Sequence, residues 1–169
     1  NDTTSLNFTA ADVLGPTLSS SSPADNATGV AGGANIVLTF NENVVLGSGN
    51  VSLYKTNGTL VEAMNVSSSA VTASTNTVTI NPTANLVTLE GYYILIDATA
   101  IDDASGNSYA GIGSSSTLNF TAADLSPPTL TSTSPADNAT GVALDSNITL
   151  TFNEAVVAGS GNLTLFKSD

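Results

Sequence analysis

The chain has 169 residues and a formal net charge of −12, because 14 acidic residues are balanced by only two lysines, and it contains no cysteine or histidine. The scarcity of cations excludes a phosphate-binding surface, and with it nucleic acids and anionic membranes as partners. The missing cysteines exclude disulfides and thiolate metal sites, and the missing histidines remove the usual general base and zinc ligand.

Short strands separated by turn residues are predicted along the chain. Ile36, Leu38 and Phe40 alternate with polar or small residues, and this period of two is typical of a half-buried strand. Asn57-Gly58 indicates a hairpin turn. The predicted strands are 17–21, 35–40, 50–54, 60–64, 70–73, 76–80, 92–97 and 116–121. About seven strands in about 110 residues, with no sustained helical stripe, predict an all-β fold, an antiparallel sandwich of two sheets.

The inward positions of these strands give a predicted core. Burying each such side chain contributes roughly 1.5–3 kcal/mol, which is enough for an independent domain without disulfides. The predicted core residues are Leu18, Ile36, Leu38, Phe40, Val51, Leu53, Val78, Ile80, Tyr93, Leu95, Leu118 and Phe120.

A long internal repeat divides the chain. Residues 1–57 align with residues 113–169 at an offset of 112 without a gap, and 36 of the 57 pairs are identical. The stretch "SPADNATGVA" occurs in full at 22–31 and again at 134–143. A unit of this length has the size of a domain and is too long for a solenoid repeat. We therefore expect residues 1–12 to be the last strand of a preceding repeat, residues 16–124 to be a complete repeat and residues 125–169 to be the first part of the next. The chain would then be a segment of a longer tandem array.

The repeated unit resembles a known family. The stretches that carry the resemblance are "PTLSSSSPADNATGVA", "NIVLTFNENVVLGSGNVSL", "VTINPTANLVTLEGYYILIDATAIDDASGNSYAG" and "LNFTAAD". Together they are similar to the bacterial immunoglobulin-like (Big) domain of the S-layer type. The resemblance implies Ig-like β-sandwich beads strung in series in surface layers, adhesins or secreted multidomain enzymes, and a spacer or structural role without catalysis.

Acidic and amide side chains are expected to meet at one pole of each sandwich. In this topology the segment before the first strand and two of the loops lie at the same pole, and calcium takes six to eight oxygen ligands from such groups. The predicted Ca²⁺ ligands are Asp12, Glu42, Asp102, Asp103 and Asn107, with Asp124 and Glu154 in the corresponding positions of the next unit. The alternative is that these residues are ordinary solvated loop residues, since their spacing matches neither an EF-hand loop nor a glycine-rich calcium nonapeptide.

Asn-x-Ser/Thr triplets are frequent and mark candidate glycosylation sites. The candidates outside strands or at turns are Asn57, Asn26, Asn138 and Asn65. Triplets within strands are also produced by alternation alone, because the asparagine and the hydroxyl residue then share the outward face.

The sequence thus predicts a non-enzymatic structural repeat of an extracellular or cell-surface protein, such as an adhesin stalk, a surface layer or a filament subunit. Its partners would be neighbouring repeats of the same chain, and residues 1–12 could associate with another chain by strand addition. No segment within these 169 residues is apolar enough to insert into a membrane. The alternatives are a carbohydrate- or ice-binding module, which a regular outward row of threonines would favour, and an accessory domain of a secreted hydrolase.

Overall fold

The structure, a computed structural model, describes residue 7 and residues 9–167. The chain forms two compact units, Asn1–Leu125 (unit 1) and Ser126–Asp169 (unit 2). The described residues contain thirteen strands: β1 (Leu18–Ser22), β2 (Ala27–Val30), β3 (Ile36–Phe40), β4 (Val44–Leu46), β5 (Asn50–Lys55), β6 (Leu60–Asn65), β7 (Val71–Ser74), β8 (Thr77–Ile80), β9 (Gly91–Ile96), β10 (Ile101–Asp103), β11 (Asn119–Ala122), β12 (Leu130–Ser134) and β13 (Thr149–Phe152).

Unit 1 is a sandwich of two sheets, which confirms the predicted all-β, Ig-like fold. One sheet has the strand order β1-β3-β8-β7 and the other has the order β2-β11-β9-β5-β6. Neighbouring strands are antiparallel in both sheets except β2 and β11, which run parallel. β4 and β10 form a separate antiparallel pair.

The core lies between the two sheets. Leu38 and Val78 from one sheet and Leu53 and Ile94 from the other belong to a single buried cluster. Phe40 packs edge-on against the ring of Tyr109, with ring centroids 5.2 Å apart. Of the twelve predicted core residues nine are buried, and Leu18 packs against them while half-buried.

The predicted inward face of strand β9 was wrong. Tyr93 and Leu95 lie on the outer face of their sheet, and Tyr92, Ile94 and Ile96 are the buried residues. All five side chains are apolar or aromatic, so alternation along this strand does not distinguish its faces. The pairing with β5 decides it, because Ile96 lies opposite Val51 and Ile94 lies opposite Leu53.

The copied stretch 22–31 contains a strand as well as a turn. The sequence predicts it as a loop crossing between the sheets, and the structure places strand β2 in its second half, beside the last strand β11. The turn before β2 also binds β11: Asp25 Oδ1 accepts hydrogen bonds from the backbone nitrogen of Asn119 at 3.0 Å and from its Nδ2 at 2.8 Å. The backbone nitrogen of Asn26 donates to the carbonyl oxygen of Asn119 at 2.7 Å. The loop therefore joins the first part of the sandwich to its last strand.

We expect Asp25→Ala to lower the free energy of unfolding of unit 1 by about 1–2 kcal/mol, because it removes three hydrogen bonds to a charged acceptor, two from Asn119 and one from the side chain of Asn26. Asp25→Asn should lose less, since its amide oxygen still accepts from Asn119. Urea unfolding of the two variants measures both effects. Equal stability of Asp25→Ala and the parent chain would contradict this role of the loop.

Unit 2 contains the antiparallel pair β12–β13, whose register repeats that of β1–β3. In the described part of this unit many apolar side chains are exposed, among them Ile148, Leu150, Leu163 and Leu165. The predicted last strand of a preceding repeat falls on residues 1–12, of which 1–6 and 8 lie outside the described residues. Residue 7 and residues 9–12 are not in a strand.

Candidate functional site

Three carboxylates meet at the pole of unit 1 where the chain enters the sandwich. Asp12 lies before β1, Glu42 follows β3 by two residues, and Asp103 ends β10. Carboxylate oxygens of the three residues lie within 4.8 Å of one another. Asp12 is exposed, Glu42 is half-buried and Asp103 is buried. We call this group the acidic triad.

The loop after β10 fixes the orientation of Asp103. Its Oδ1 accepts hydrogen bonds from the backbone nitrogens of Ser105 at 2.8 Å and Asn107 at 2.7 Å. Its Oδ2 accepts one from Asn107 Nδ2 at 2.8 Å. The hydrogen bond from the Asn107 side chain and those from the loop backbone lower the pKa of the Asp103 carboxyl, against the opposing effect of its burial. Asp103 is therefore an ionised, rigid carboxylate at neutral pH.

Asn107 also holds the segment that carries Asp12. Its Nδ2 donates to the carbonyl oxygen of Asp12 at 3.2 Å. The carboxylate of Asp12 accepts a hydrogen bond from the backbone nitrogen of Leu14 at 3.1 Å, which closes a tight local turn. Gly15 approaches the carbonyl oxygen of Ser108 so closely that a side chain would not fit. The segment before β1 is thus packed on the 103–108 loop.

The geometry of the acidic triad is compatible with a single bound cation. Two ligands of one Ca²⁺ ion, each about 2.3–2.6 Å from it, lie at most about 5 Å apart. The oxygens of the triad satisfy that limit. Three carboxylates also concentrate negative charge, most of which a divalent cation would offset.

The other predicted ligands lie in different places. Asp102 points to the opposite side of β10 from Asp103, where it accepts a hydrogen bond from the Ser108 hydroxyl. Asn107 lies beside the triad and presents its amide nitrogen to it. Asp124 follows β11 and accepts a hydrogen bond from Thr88 Oγ1 at 2.9 Å. Glu154 lies in unit 2, two residues after β13.

All four glycosylation candidates are exposed. Asn57 Oδ1 accepts a hydrogen bond from the backbone nitrogen of Thr59. Asn65 Oδ1 accepts from both the backbone nitrogen and the hydroxyl of Ser67. Asn26 and Asn138 use their amide nitrogens as donors to the preceding aspartate, at 2.7 and 3.0 Å. Glycosylation at these positions stays a prediction.

The outer face of the β1-β3-β8-β7 sheet carries small uncharged side chains in two cross-strand rows. Strand pairing aligns one row of four and, two residues along each strand, a second row of four. Seven of the eight residues are serine or threonine. We call this surface the hydroxyl face; its rows are Ser20, Thr39, Thr77, Ser74 and Ser22, Val37, Thr79, Thr72.

Comparison with known proteins places the chain in a family. A family model described as a bacterial Ig-like domain matches residues 12–122 and, separately, residues 124–169. The chain belongs to this family of bacterial Ig-like domains. The identification agrees with the resemblance seen in the sequence, and no curated protein matches this Ig-like chain.

Two solved structures are similar to the Ig-like chain. The crystal structure of CopC from Methylosinus trichosporium OB3b is 16% identical with a TM-score of 0.47, and the match covers 66% of this chain and 97% of that one. The S-layer protein rSbsC(31-844) is 18% identical with a TM-score of 0.43, and the match covers 69% of this chain and 15% of that one. Among the described residues of the Ig-like chain, no helix is long and apolar enough to cross a membrane.

Proposed function

We propose that the chain is part of a non-enzymatic, extracellular or cell-surface protein in which Ig-like beads are joined in series, as in a stalk, a surface layer or a filament. The observation that carries this proposal is the internal repeat, in which 36 of 57 aligned residues are identical. The identities extend to the turn that contains Asp25 and Asn26, which hold the last strand of unit 1. Residues that stabilise the fold are needed in every bead, whereas a catalytic protein needs its active site only once.

Labelling of intact cells tests the proposed location. An antibody raised against residues 16–124 should bind intact source cells, and brief protease treatment of those cells should remove the signal. Antibody binding that requires permeabilised cells would refute a surface role. A cytoplasmic protein labelled in parallel shows that the cells stay intact.

We further propose that the acidic triad binds Ca²⁺ and thereby stiffens the segment by which the chain enters each bead. The support is positional, because Asp12 belongs to that segment while Glu42 and Asp103 belong to the body of the sandwich. A cation bound by all three would fix the segment to the pole in addition to the hydrogen bond from Asn107. The repeat places Asp124 and Glu154 at the positions of Asp12 and Glu42.

Calcium should raise the melting temperature of unit 1, and a chelator should reverse the rise. A ligand at a hundredfold excess over its Kd stabilises the folded state by about 2.7 kcal/mol. Glu42→Gln should remove most of the response, because it takes one carboxylate from the triad. Asp102→Asn is the matched control: it neutralises the adjacent carboxylate on the other side of β10 and should leave the response intact. An unchanged melting temperature with calcium and with chelator would refute the site.

A second candidate function is binding of an ice surface by the hydroxyl face, which the regular rows favour. Side chains in a row are about 4.8 Å apart and the two rows about 6.7 Å apart, by the geometry of β-sheets. The eight residues carry no charge in a chain of net charge −12, so this face holds no strongly hydrated ionic group. Each of its four threonines carries both a methyl and a hydroxyl group, a combination that suits an ordered layer of water. No aromatic side chain belongs to the rows, which disfavours carbohydrate as the ligand.

An ice-recrystallisation assay tests this candidate. The parent chain should inhibit crystal growth, and Thr79→Lys should abolish inhibition because it places a long charged side chain in the middle of the face. Thr121→Lys, on the outer face of the other sheet, should keep the activity. Growth rates equal to buffer for the parent chain would exclude ice binding.

A further inference from the structure

The Asn-x-Ser triplet at the end of β6 differs from the other triplets in its hydrogen bonds. Asn65 Oδ1 accepts from the backbone nitrogen of Ser67 at 2.9 Å and from the Ser67 hydroxyl at 2.6 Å. In the described part of the chain, no other triplet has its hydroxyl bonded to the amide oxygen of its own asparagine. Val66, between the two exposed residues, is 1% exposed, and its backbone nitrogen donates to the carbonyl oxygen of Gly49 at 3.0 Å. The fold therefore fixes this triplet with both polar side chains outward.

The side-chain amides of other triplets are used within the fold. Asn119 Nδ2 donates to Asp25 Oδ1 at 2.8 Å, and Asn26 Nδ2 donates to Asp25 Oδ2 at 2.7 Å. A glycan on either nitrogen would compete with these contacts. Asn57 is exposed, but its Oδ1 accepts a hydrogen bond from the backbone nitrogen of Thr59 and none from the Thr59 hydroxyl among the described contacts.

The amide nitrogen of Asn65 is accessible. Its contact with Asn50 Oδ1 is 3.5 Å long, which is too long for a strong hydrogen bond. An amide nitrogen is a weak nucleophile, because its lone pair is delocalised onto the carbonyl oxygen. Two donors at Oδ1 stabilise the negative charge that develops on this oxygen when the nitrogen gives up a proton, as donors do in an oxyanion hole. Asn65 thus combines an accessible nitrogen with a polarised amide.

Asn65 is also the last residue of a strand at the edge of a sheet. β6 ends the strand order of the five-stranded sheet, and no described strand pairs with its outer side. Backbone groups of an antiparallel strand point alternately to its two sides. Because Val66 donates towards the β5 side, the backbone of Ala63 points away from β5 to the open edge. Such an edge can pair with another chain, which is a hazard for an array of identical beads.

We infer that Asn65 is N-glycosylated and that its glycan shields the edge of β6 from pairing with other copies of the chain. In the transfer, a bond forms between Asn65 Nδ2 and the anomeric carbon of a sugar, and one amide proton leaves. The bond from that carbon to the pyrophosphate oxygen of a lipid-linked sugar donor breaks, and the pyrophosphate departs with its electron pair. The inference rests on the proposed location outside the cell, where a large polar glycan is compatible with an exposed side chain.

Mass spectrometry of the protein isolated from its source cells tests the modification. The peptide that contains Asn65 should carry a glycan, and enzymatic release in heavy-oxygen water should leave a labelled aspartate there. Asn65→Gln should lose this glycan, and Ser67→Thr, which keeps the hydroxyl, should retain it. Asn57→Gln is the matched control at another exposed triplet and should leave the Asn65 peptide unchanged.

An unmodified Asn65 would overturn the inference, as would equal occupancy of Asn119, whose amide is used in the fold. Labelling of intact cells decides separately whether the proposed location fails. A chain that is on the surface and lacks the glycan refutes this inference alone.

Removal of the glycan tests its role at the edge of β6. The enzymatically deglycosylated protein should sediment as larger species than the glycosylated protein at the same concentration. Adding Ala63→Lys to Asn65→Gln places a charge on the edge strand and should return sedimentation to that of the glycosylated parent. Adding Thr121→Lys instead, on β11 of the same sheet, should not. Sedimentation that is unchanged by deglycosylation would exclude the shielding role.

Discussion

Tyr92→Ala is expected to lower the free energy of unfolding of unit 1 by about 3–5 kcal/mol, the range for removing a large buried aromatic side chain. The ring of Tyr92 is buried and stacks on Phe120, with centroids 5.9 Å apart. Tyr93→Ala changes the adjacent residue by the same number of atoms. It should cost only about 1 kcal/mol, because Tyr93 lies on the outer face and loses mainly its stacking on Tyr54. Urea unfolding measures both values.

Tyr92→Phe separates the ring from its hydroxyl. The Tyr92 hydroxyl oxygen accepts a hydrogen bond from the backbone nitrogen of Val87 at 2.7 Å. Its removal should cost about 1 kcal/mol and leave the packing of the ring unchanged. Similar losses for Tyr92→Ala and Tyr93→Ala would show that the two faces of β9 have been assigned incorrectly.

Gly111→Ala is expected to destabilise unit 1 by at least about 2 kcal/mol, because it combines backbone strain with a steric clash. Gly111 has φ of +76°, a conformation that side chains rarely adopt. A Cβ atom at this position would lie 2.4 Å from the carbonyl oxygen of Ile96 and 3.0 Å from the backbone nitrogen of Ala98. The carbonyl of Ile96 accepts the hydrogen bond from Ile112, so the strand end cannot move away without losing it.

Two other glycines separate the strain from the clash. Gly106 has φ of +87° but open space around it, so Gly106→Ala should show only the backbone cost of about 1 kcal/mol. Gly113 has neither a positive φ nor a close neighbour, and Gly113→Ala should be neutral or slightly stabilising. Thermal unfolding that ranks the three variants in any other order would contradict the structural assignment at Gly111.

Alternation predicted most strands of unit 1 because one face of each is apolar and the other polar. The segments 35–40, 50–54 and 76–80 differ from β3, β5 and β8 by one residue at an end. β2, β4 and β10 were missed because their sequences, "ATGV", "VVL" and "IDD", do not alternate apolar and polar residues. The hairpin predicted at Asn57-Gly58 contains an irregularity in its register: Leu53 lies opposite Glu62, but Tyr54 lies opposite Leu60. A bulge of this kind leaves no mark in the pattern of side chains.

The sequence predicted where the candidate metal centre lies, but it did not predict which of the candidate residues form it. The topology of a sandwich brings the segment before the first strand to the same pole as the loops, which gave Asp12, Glu42 and Asp103 together. Asp102 and Asp103 are adjacent residues of the same type, so the sequence does not show which of them is a ligand. Strand β10 places their side chains on opposite sides. The hydroxyl face was visible as alternation in "TVTI", but its two rows depend on the register of four strands.

The parallel pairing of β2 with β11 has a mechanical consequence. Because an early strand and the last strand run in the same direction, the chain enters unit 1 at the pole of Asp12 and leaves it at the other, beside Thr88. Tension applied to the two ends therefore acts along the strands, and the ladder bonds between them are loaded in shear. Hydrogen bonds loaded in shear must break together, whereas hydrogen bonds loaded perpendicular to the strands break one at a time. Unit 1 therefore resists extension until all the hydrogen bonds between β2 and β11 break.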